Sequence, residues 1–263
     1  MENRQIESRL QLAIKIADEA GVVTLKHFNR PGLKVERKKN DSPVTVADRR
    51  AEELLRSRIA ETFPDDAIHG EEFDDRSGRS GFRWILDPVD GTKSFIHGVP
   101  LYATLVAIEH EGRSIAGVIR IPALGECVYA ALGHGAWHLV GQAQPRAARV
   151  SDCPRLAEGL FVTSEVANFE DVGRRDVYDR LQSAARLARS WGDGYGYLLV
   201  ATGRAELMVD PKMEVWDAGP LPPILTEAGG TFTDWQGEVK TDSGQGFATN
   251  GRIFDEVMGM LRS

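Results

Sequence analysis

Apolar residues recur at helical spacing along the start of the chain. Ile6, Leu10, Ala13, Ile14, Ala17 and Ala20 share one face, which predicts an amphipathic helix over residues 4–28, ended by Pro31-Gly32. The spacing then changes. Residues 33–36 read as a short strand and 37–43 as a polar loop. A second helix is predicted from residues 45–48, where a hydroxyl and a carboxylate suit free N–H groups; Ala51, Leu54, Leu55 and Ile59 line one face, and the helix stops before Phe63-Pro64. Strands follow at 84–86, 101–109 and 115–121, then a hairpin of 128–131 and 136–139 turned at Gly133-His134-Gly135.

The polar segment 142–150, which contains Pro145, marks a boundary between two packed halves of a single domain, about 1–150 and 151–263. Beyond it the pattern predicts a strand at 160–163, a helix at 171–186 and a helix at 196–202 closed by Gly203. A strand at 205–209, a helix at 217–228 ending at Gly229-Gly230 and a last helix at 253–262 complete it. There is no internal repeat, low-complexity tract or heptad run. Strands and helices mixed in this order point to layered α/β packing, not to a simple parallel Rossmann sheet.

Composition narrows the partners. A net charge of −7 disfavours nucleic acid and anionic membrane, and would repel a phosphate ester unless cations gather locally. Cys127 and Cys153 have no metal-site spacing and read as reduced thiols of a cytoplasmic protein. The N-terminal stretch lacks the apolar run of a signal peptide, and no segment approaches the roughly 18 apolar residues that span a bilayer.

Candidate chemistry gathers at the end of one strand. In Trp84-Ile85-Leu86-Asp87-Pro88-Val89-Asp90-Gly91-Thr92-Lys93-Ser94-Phe95 an apolar strand delivers Asp87, Pro88 stiffens the turn, and Asp90 follows. Two carboxylates leaving one strand end can share hard cations, which prefer oxygen donors. Gly91-Thr92-Lys93 then presents successive backbone N–H groups at a helix opening, which suits phosphate. Alone, the segment also reads as a surface turn whose carboxylates merely cap it. Glu71 in Gly70-Glu71-Glu72, and Asp217 after Val215-Trp216, are further acids at the ends of apolar stretches. Each by itself reads as solvated surface. With Asp87 and Asp90, however, they form a set that repels itself without metal.

These segments together resemble the inositol monophosphatase superfamily. Residues 84–97 match its main signature. Thr45-Val46-Ala47-Asp48, Gly70-Glu71-Glu72 and Trp216-Asp217 followed by Glu227-Ala228-Gly229-Gly230 match three more landmarks in order, over about residues 4–260. The resemblance implies a layered α/β fold, the αβαβα sandwich of the sugar phosphatases, usually a homodimer, and hydrolysis of a small-molecule phosphate monoester. It implies that Glu71, Asp87, the Val89 carbonyl, Asp90 and Asp217 hold two or three Mg2+ ions, and that Gly91 and Thr92 hold phosphate through their amides. Thr92 and Asp48 are then expected to position and deprotonate the attacking water, with Glu71 assisting. Such ions would convert an acidic cleft into a cationic one. One departure stands out. Asp217-Ala218-Gly219-Pro220-Leu221-Pro222-Pro223 carries prolines suited only to a first helical turn, so the helix after Asp217 is expected to start late or kink.

For the alcohol half, residues 93–105 and the Trp191-Gly192-Asp193-Gly194-Tyr195 stretch resemble the histidinol-phosphate phosphatase branch. Asp210 lies where the superfamily places an acid facing substrate. Histidinol phosphate carries an ammonium and an imidazole, which Asp193 and Asp210 suit as acids and Trp191 as a stacking ring. Asp193 also reads as a helix N-cap, and Trp191 as core. His97 reads as a rim or structural residue, and Lys38 and Lys39 as solvated or as cations over the entrance. Inositol-1-phosphate or a broad range of sugar phosphates is the same-fold alternative. A catalytically silent regulatory or RNA-associated protein is the alternative of a different class, against which the intact acid set argues.

Overall fold

The computed structural model describes residues 2–38 and 42–262; Lys39 and the rest of 39–41 lie outside them. Along the chain run α1 (Glu2–Leu25), the pair β1 (Val35–Arg37) and β2 (Pro43–Thr45), α2 (Val46–Thr62), β3 (Ala67–Gly70), β4 (Phe82–Asp90) and the single turn α3 (Thr92–Ile96). The strands β5 (Ala103–His110), β6 (Arg113–Ile121), β7 (Glu126–Ala131), β8 (Ala136–Val140) and β9 (Arg146–Ala147) follow. Next come β10 (Leu160–Val162), α4 (Ala167–Asp171), α5 (Arg175–Ala184), β11 (Leu187–Arg189), α6 (Gly194–Ala201) and β12 (Leu207–Asp210). The last elements are α7 (Val215–Ala218), α8 (Leu221–Ala228), β13 (Thr231–Thr233), β14 (Gly246–Thr249) and α9 (Phe254–Arg262).

One sheet holds β3 to β9 in sequential order, antiparallel except for the parallel pair β3–β4; the other has the order β11-β10-β12-β14-β13. α1 and α2 cover the outer face of the first sheet, where Ala13, Ile16, Leu55 and Ile59 meet Trp84, Leu86, Val106 and Val118. α6 and α8 fill the space between the sheets: Leu198, Leu221 and Ile224 touch Leu105 and Ile119 on one side and Met208 and Phe232 on the other. Val177 and Leu181 of α5, with Val257 and Leu261 of α9, close the far side over Phe161, Leu207 and Phe247. The layers therefore run α, β, α, β, α, as the resemblance implied. No helix among the described residues is long and apolar enough to cross a membrane.

Several boundaries differ from the sequence pattern for local reasons. The helix expected over 171–186 is shorter, α5 at 175–184; Asp171 instead ends α4, and Gly173 between them has a φ of +70° that no helix interior accommodates. The helix expected over 217–228 breaks at Gly219-Pro220 into α7 and α8. Pro223 has no N–H to offer the Gly219 carbonyl, and the Ser114 hydroxyl donates to it instead at 2.6 Å. α8 then lies so close to β6 that a Cβ on Gly117 would sit 2.3 Å from the Pro220 carbonyl oxygen. In α1, Ile16 occupies the core and Ile14 only its margin.

One buried polar hub fixes α1 to the sheet. Asp66 accepts from Arg9 Nε and Nη2, both at 2.8 Å, from Ser80 Oγ at 2.7 Å and from Trp84 Nε1 at 2.9 Å. Burial would raise the pKa of this carboxyl, but these donors, the Arg9 charge among them, hold it below the usual range. Asp66→Ala strands a buried guanidinium and an indole N–H, so it is expected to destabilise the fold by about 3–5 kcal/mol. Urea denaturation measures this, and a loss under about 1 kcal/mol would contradict the assigned role.

Candidate active site

The parallel pairing of β3 with β4 decides where the first acids emerge. With Gly70 opposite Leu86 in register, the residues that follow each strand position, Glu71 and Asp87, leave the sheet at the same end. The Glu71 N–H continues the ladder to the Leu86 carbonyl at 3.2 Å. β4 then bulges between Asp87 and Asp90, so both carboxylates turn into one cleft. The Val89 N–H bonds to Asp87 Oδ1 at 3.0 Å and stiffens the bulge. Gly91 follows at φ +76°, and a Cβ there would lie 2.6 Å from Asp193 Oδ2. α3 begins at the next residue, so the amides at 91–92 belong to a first helical turn without intrahelical partners.

α2 supplies the next side chain. Asp48 is fully buried in the first turn, and its Oδ2 accepts from Thr45 N at 2.9 Å and Thr45 Oγ1 at 2.6 Å. Its Oδ1 faces Thr92 Oγ1 at 3.4 Å, while that hydroxyl also lies 3.0 Å from the Val89 carbonyl oxygen. Burial raises the Asp48 pKa against the pull of its Thr45 bonds, which makes it a better proton acceptor than a solvated aspartate. Glu71 meets Lys38 Nζ at 2.7 Å, and Glu72 meets the same ammonium at 2.6 Å. Lys38 thus pairs with acids at the cleft.

α7 brings in Asp217. Its Oδ2 accepts the Glu214 N–H at 2.8 Å, and the Asp217 amide donates to the Glu214 carbonyl oxygen at 3.1 Å. This single turn sets the pose of Asp217, so the break at Gly219-Pro220 leaves it undisturbed. Carboxylate oxygens of Asp87, Asp90 and Asp217 lie within 4.8 Å of one another. Burial, with Glu71, Asp90 and Asp217 nearby, pushes Asp87 well above the usual aspartate range. Burial, with Asp193 and Asp217, does the same to Asp90. Asp217 is pushed up to about 7 by loss of solvent and by the Glu71 and Asp210 charges. An all-oxygen donor set that resists carrying its own charge is what a hard divalent cation relieves, so the residues present fit such an ion.

The inositol monophosphatase family profile matches residues 5–260. The chain belongs to the inositol monophosphatase family. The histidinol-phosphatase of Chlorobaculum parvum is 45% identical over 240 residues, covering 91% of each chain, and that of Streptomyces coelicolor is 38% identical over 256 residues, covering 96% of each. The solved Thermotoga maritima IMPase superposes with a TM-score of 0.85 at 30% identity, covering 97% of both chains. As a member of this family of metal-dependent enzymes the chain is a phosphoric monoester hydrolase.

In this inositol monophosphatase family member the acids line a cleft of about 370 Å3, which also holds Thr92 and Asp193. A larger hollow of about 520 Å3 shares none of those acids, so size does not locate the chemistry. A side chamber of about 90 Å3 extends past Asp90 and Asp193 to Asp210, Tyr197 and Lys212. Asp193 stands at the N-cap position of α6 but its side chain makes no capping bond; its amide donates to Ser164 Oγ at 2.8 Å and its carboxylate lies against Gly91. Asp210, at the end of β12, accepts from Ser164 N and Tyr197 OH, both at 3.1 Å; burial and the Asp193 charge push it up to about 7. Trp191 is 43% exposed, with the Arg189 guanidinium 5.9 Å from its ring centroid. Its exposure rules out the core reading, and it stands outside the lining of the cleft and side chamber, at their rim side next to Gly192, which packs on Ser164. His97 caps α3 from the rim, its Nδ1 2.8 Å from the Lys93 carbonyl oxygen.

Ser164, Glu165 and Asn168 also line the cleft, and Glu165 forms an ion pair with Lys93 across it. Nothing in their spacing set them apart in the sequence, since they follow a three-residue strand. Trp216, noted only as part of a landmark, lines the cleft too and packs 5.6 Å from the His69 ring.

Proposed function

We propose that this chain hydrolyses L-histidinol phosphate to L-histidinol and inorganic phosphate with magnesium as its metal. The observation that carries the reading is the wall opposite the phosphate loop. There the carboxylate of Asp193 touches Gly91, and the side chamber behind it leads to Asp210. A phosphate seated on the amides of Gly91 and Thr92 directs its alcohol toward two acids. That suits a cationic alcohol such as an amino-imidazole better than a neutral polyol. The names of the relatives support the same choice.

In this mechanism Glu71, Asp87, the Val89 carbonyl, Asp90 and Asp217 hold two or three ions, a carbonyl oxygen having a second lone pair beside the one facing Thr92. Bound there, magnesium supplies Lewis-acid charge that lowers the pKa of water and neutralises charge growing on phosphate and leaving oxygens. Thr92 orients the attacking water through its hydroxyl, and Asp48 accepts the proton relayed through that hydroxyl. The water oxygen bonds to phosphorus, the ester P–O bond breaks, and the alkoxide of histidinol leaves to take up a proton. Thr45 keeps Asp48 from rotating away, since both of its bonds fall on the oxygen not facing Thr92.

With MgCl2, kcat/KM for histidinol phosphate is expected to exceed that for myo-inositol-1-phosphate and for generic sugar phosphates by at least about tenfold, the effect of one or two charge-assisted contacts. Excess chelator should abolish turnover. Equal rates across the panel would replace the proposal with a broad sugar-phosphate phosphatase, and turnover surviving the chelator would end the metal mechanism.

A further inference from the structure

We propose that Glu52 and Arg56 of α2 are positioning residues that hold Glu71 in place for metal, an inference that rests on Glu71 being a ligand. Glu71 sits at the start of a loop bounded by the mutual bridge of Ile68 and Arg76, whose N–H groups and carbonyls exchange bonds at 2.8 and 2.9 Å. Three contacts from one helical pair grip this loop, and a fourth bond joins the pair itself. Glu52 Oε2 accepts the Glu72 N–H at 2.8 Å, and Glu52 Oε1 accepts from Arg56 Nε at 2.7 Å. The same guanidinium donates Nη1 to the Asp74 carbonyl and Nη2 to the Phe73 carbonyl, both at 2.9 Å. The three residues after Glu71 are thus tied one after another to α2.

The residue before Glu71 is fixed by the same pair. A Cβ on Gly70 would lie 2.2 Å from Glu52 Oε1 and 2.9 Å from Arg56 Nη2, so the backbone there lies directly against the clamp. The Glu71 side chain projects free of it into the cleft. Stability alone is a poor reason for this arrangement. Glu52 is completely buried, and an apolar pair of similar volume would hold α2 to the sheet without the desolvation cost. What the pair adds is directional. Asp48, Glu52 and Arg56 recur every fourth residue and form one row along α2. One rigid helix therefore registers the water-side carboxylate, Asp48, against the metal-side carboxylate, Glu71. Outer partners of this kind typically change metal affinity by 10–100-fold when removed.

The test compares Glu52→Gln, Arg56→Gln and Glu71→Gln with the wild type. Mg2+ affinity is read by calorimetry, the Mg2+-induced rise in Tm by thermal unfolding, and KM and kcat at saturating MgCl2. Glu52→Gln and Arg56→Gln are each expected to weaken Mg2+ binding by about tenfold and shrink the Tm response, with KM at saturating Mg2+ within about twofold of wild type. Arg56→Gln keeps the Glu52 bond to the Glu72 amide and serves if Glu52→Gln fails to fold. If both clamp variants lose Tm in chelator but bind Mg2+ as the wild type does while Glu71→Gln does not, the clamp is merely structural and the proposal is overturned. If Glu71→Gln also binds Mg2+ normally, Glu71 is no ligand, and that reading of the site falls first.

Discussion

Asp90→Asn is expected to fold normally yet lose about a thousandfold or more in kcat/KM, the scale of several kcal/mol of charge stabilisation withdrawn from the transition state. The asparagine oxygen can still accept the Gly194 N–H, which now bonds Asp90 Oδ2 at 2.5 Å, so the junction of the two halves persists. What disappears is one negative charge among carboxylates within 4.8 Å of one another. The same deletion should raise the melting temperature in chelator, because like charges no longer oppose one another. The pH dependence has a definite sign. Asp87, Asp90 and Asp217 all have pKa values above those of the unfolded chain, Asp217 at about 7. Their stabilising contribution is full below the unfolded value of about 3.9; that of Asp217 is lost as pH rises from there through its folded value of about 7, and those of Asp87 and Asp90 are lost in the same direction. Metal-free wild type should thus lose Tm as pH rises from about 4 through about 7, Mg2+ should restore it, and Asp90→Asn should show a flatter profile. Turnover within tenfold of wild type would remove Asp90 from the metal set.

Gly91→Ala is expected to cost about a hundredfold in kcat/KM, the penalty of displacing a reacting group by about an ångström. Two effects combine. The backbone at φ +76° disfavours alanine by about 1–2 kcal/mol. The new methyl would also lie 2.6 Å from Asp193 Oδ2 and 3.2 Å from its Cγ, so that carboxylate must turn away. Any shift of Asp193 pulls on Gly194 and so on Asp90. The disturbance should appear in kcat and KM together, and steady-state kinetics within threefold of wild type would show that the approach is slack.

Much of this site was legible in the sequence because its members leave the ends of apolar runs, where a carboxylate has few structural uses. Asp87, Asp90 and Asp217 converge as that logic required. Asp48 was legible through its capping position, and the broken helix after Asp217 through its prolines. The strands β2, β3, β11, β13 and β14 were not legible, since three or four residues are too few for an alternation to register. Missing β3 hid the parallel pairing that sets Glu71 beside Asp87. The Glu52–Arg56 clamp was hidden for a different reason: an acid and a base four residues apart on a polar helix look like an ordinary surface pair. Only the fold shows that this pair faces inward. The sequence left Trp191 open between core and rim because an aromatic residue suits either; its exposure, after the edge strand β11, excludes the core.

The bond from the Gly194 amide to Asp90 ties the start of α6, in the layer between the sheets, to the end of β4. Asp87, Asp90, Gly91 and Thr92 come from the end of β4 and the start of α3; Asp193 and Asp210 come from the chain after β10. On the proposed reading, hydrolysis draws on residues 48–92 and again on Asp217, while the choice of alcohol falls to the stretch between them. Drift in residues 164–214 can retune which ester is cut while the hydrolytic apparatus stays intact, and a lineage can change its diet without first losing its teeth.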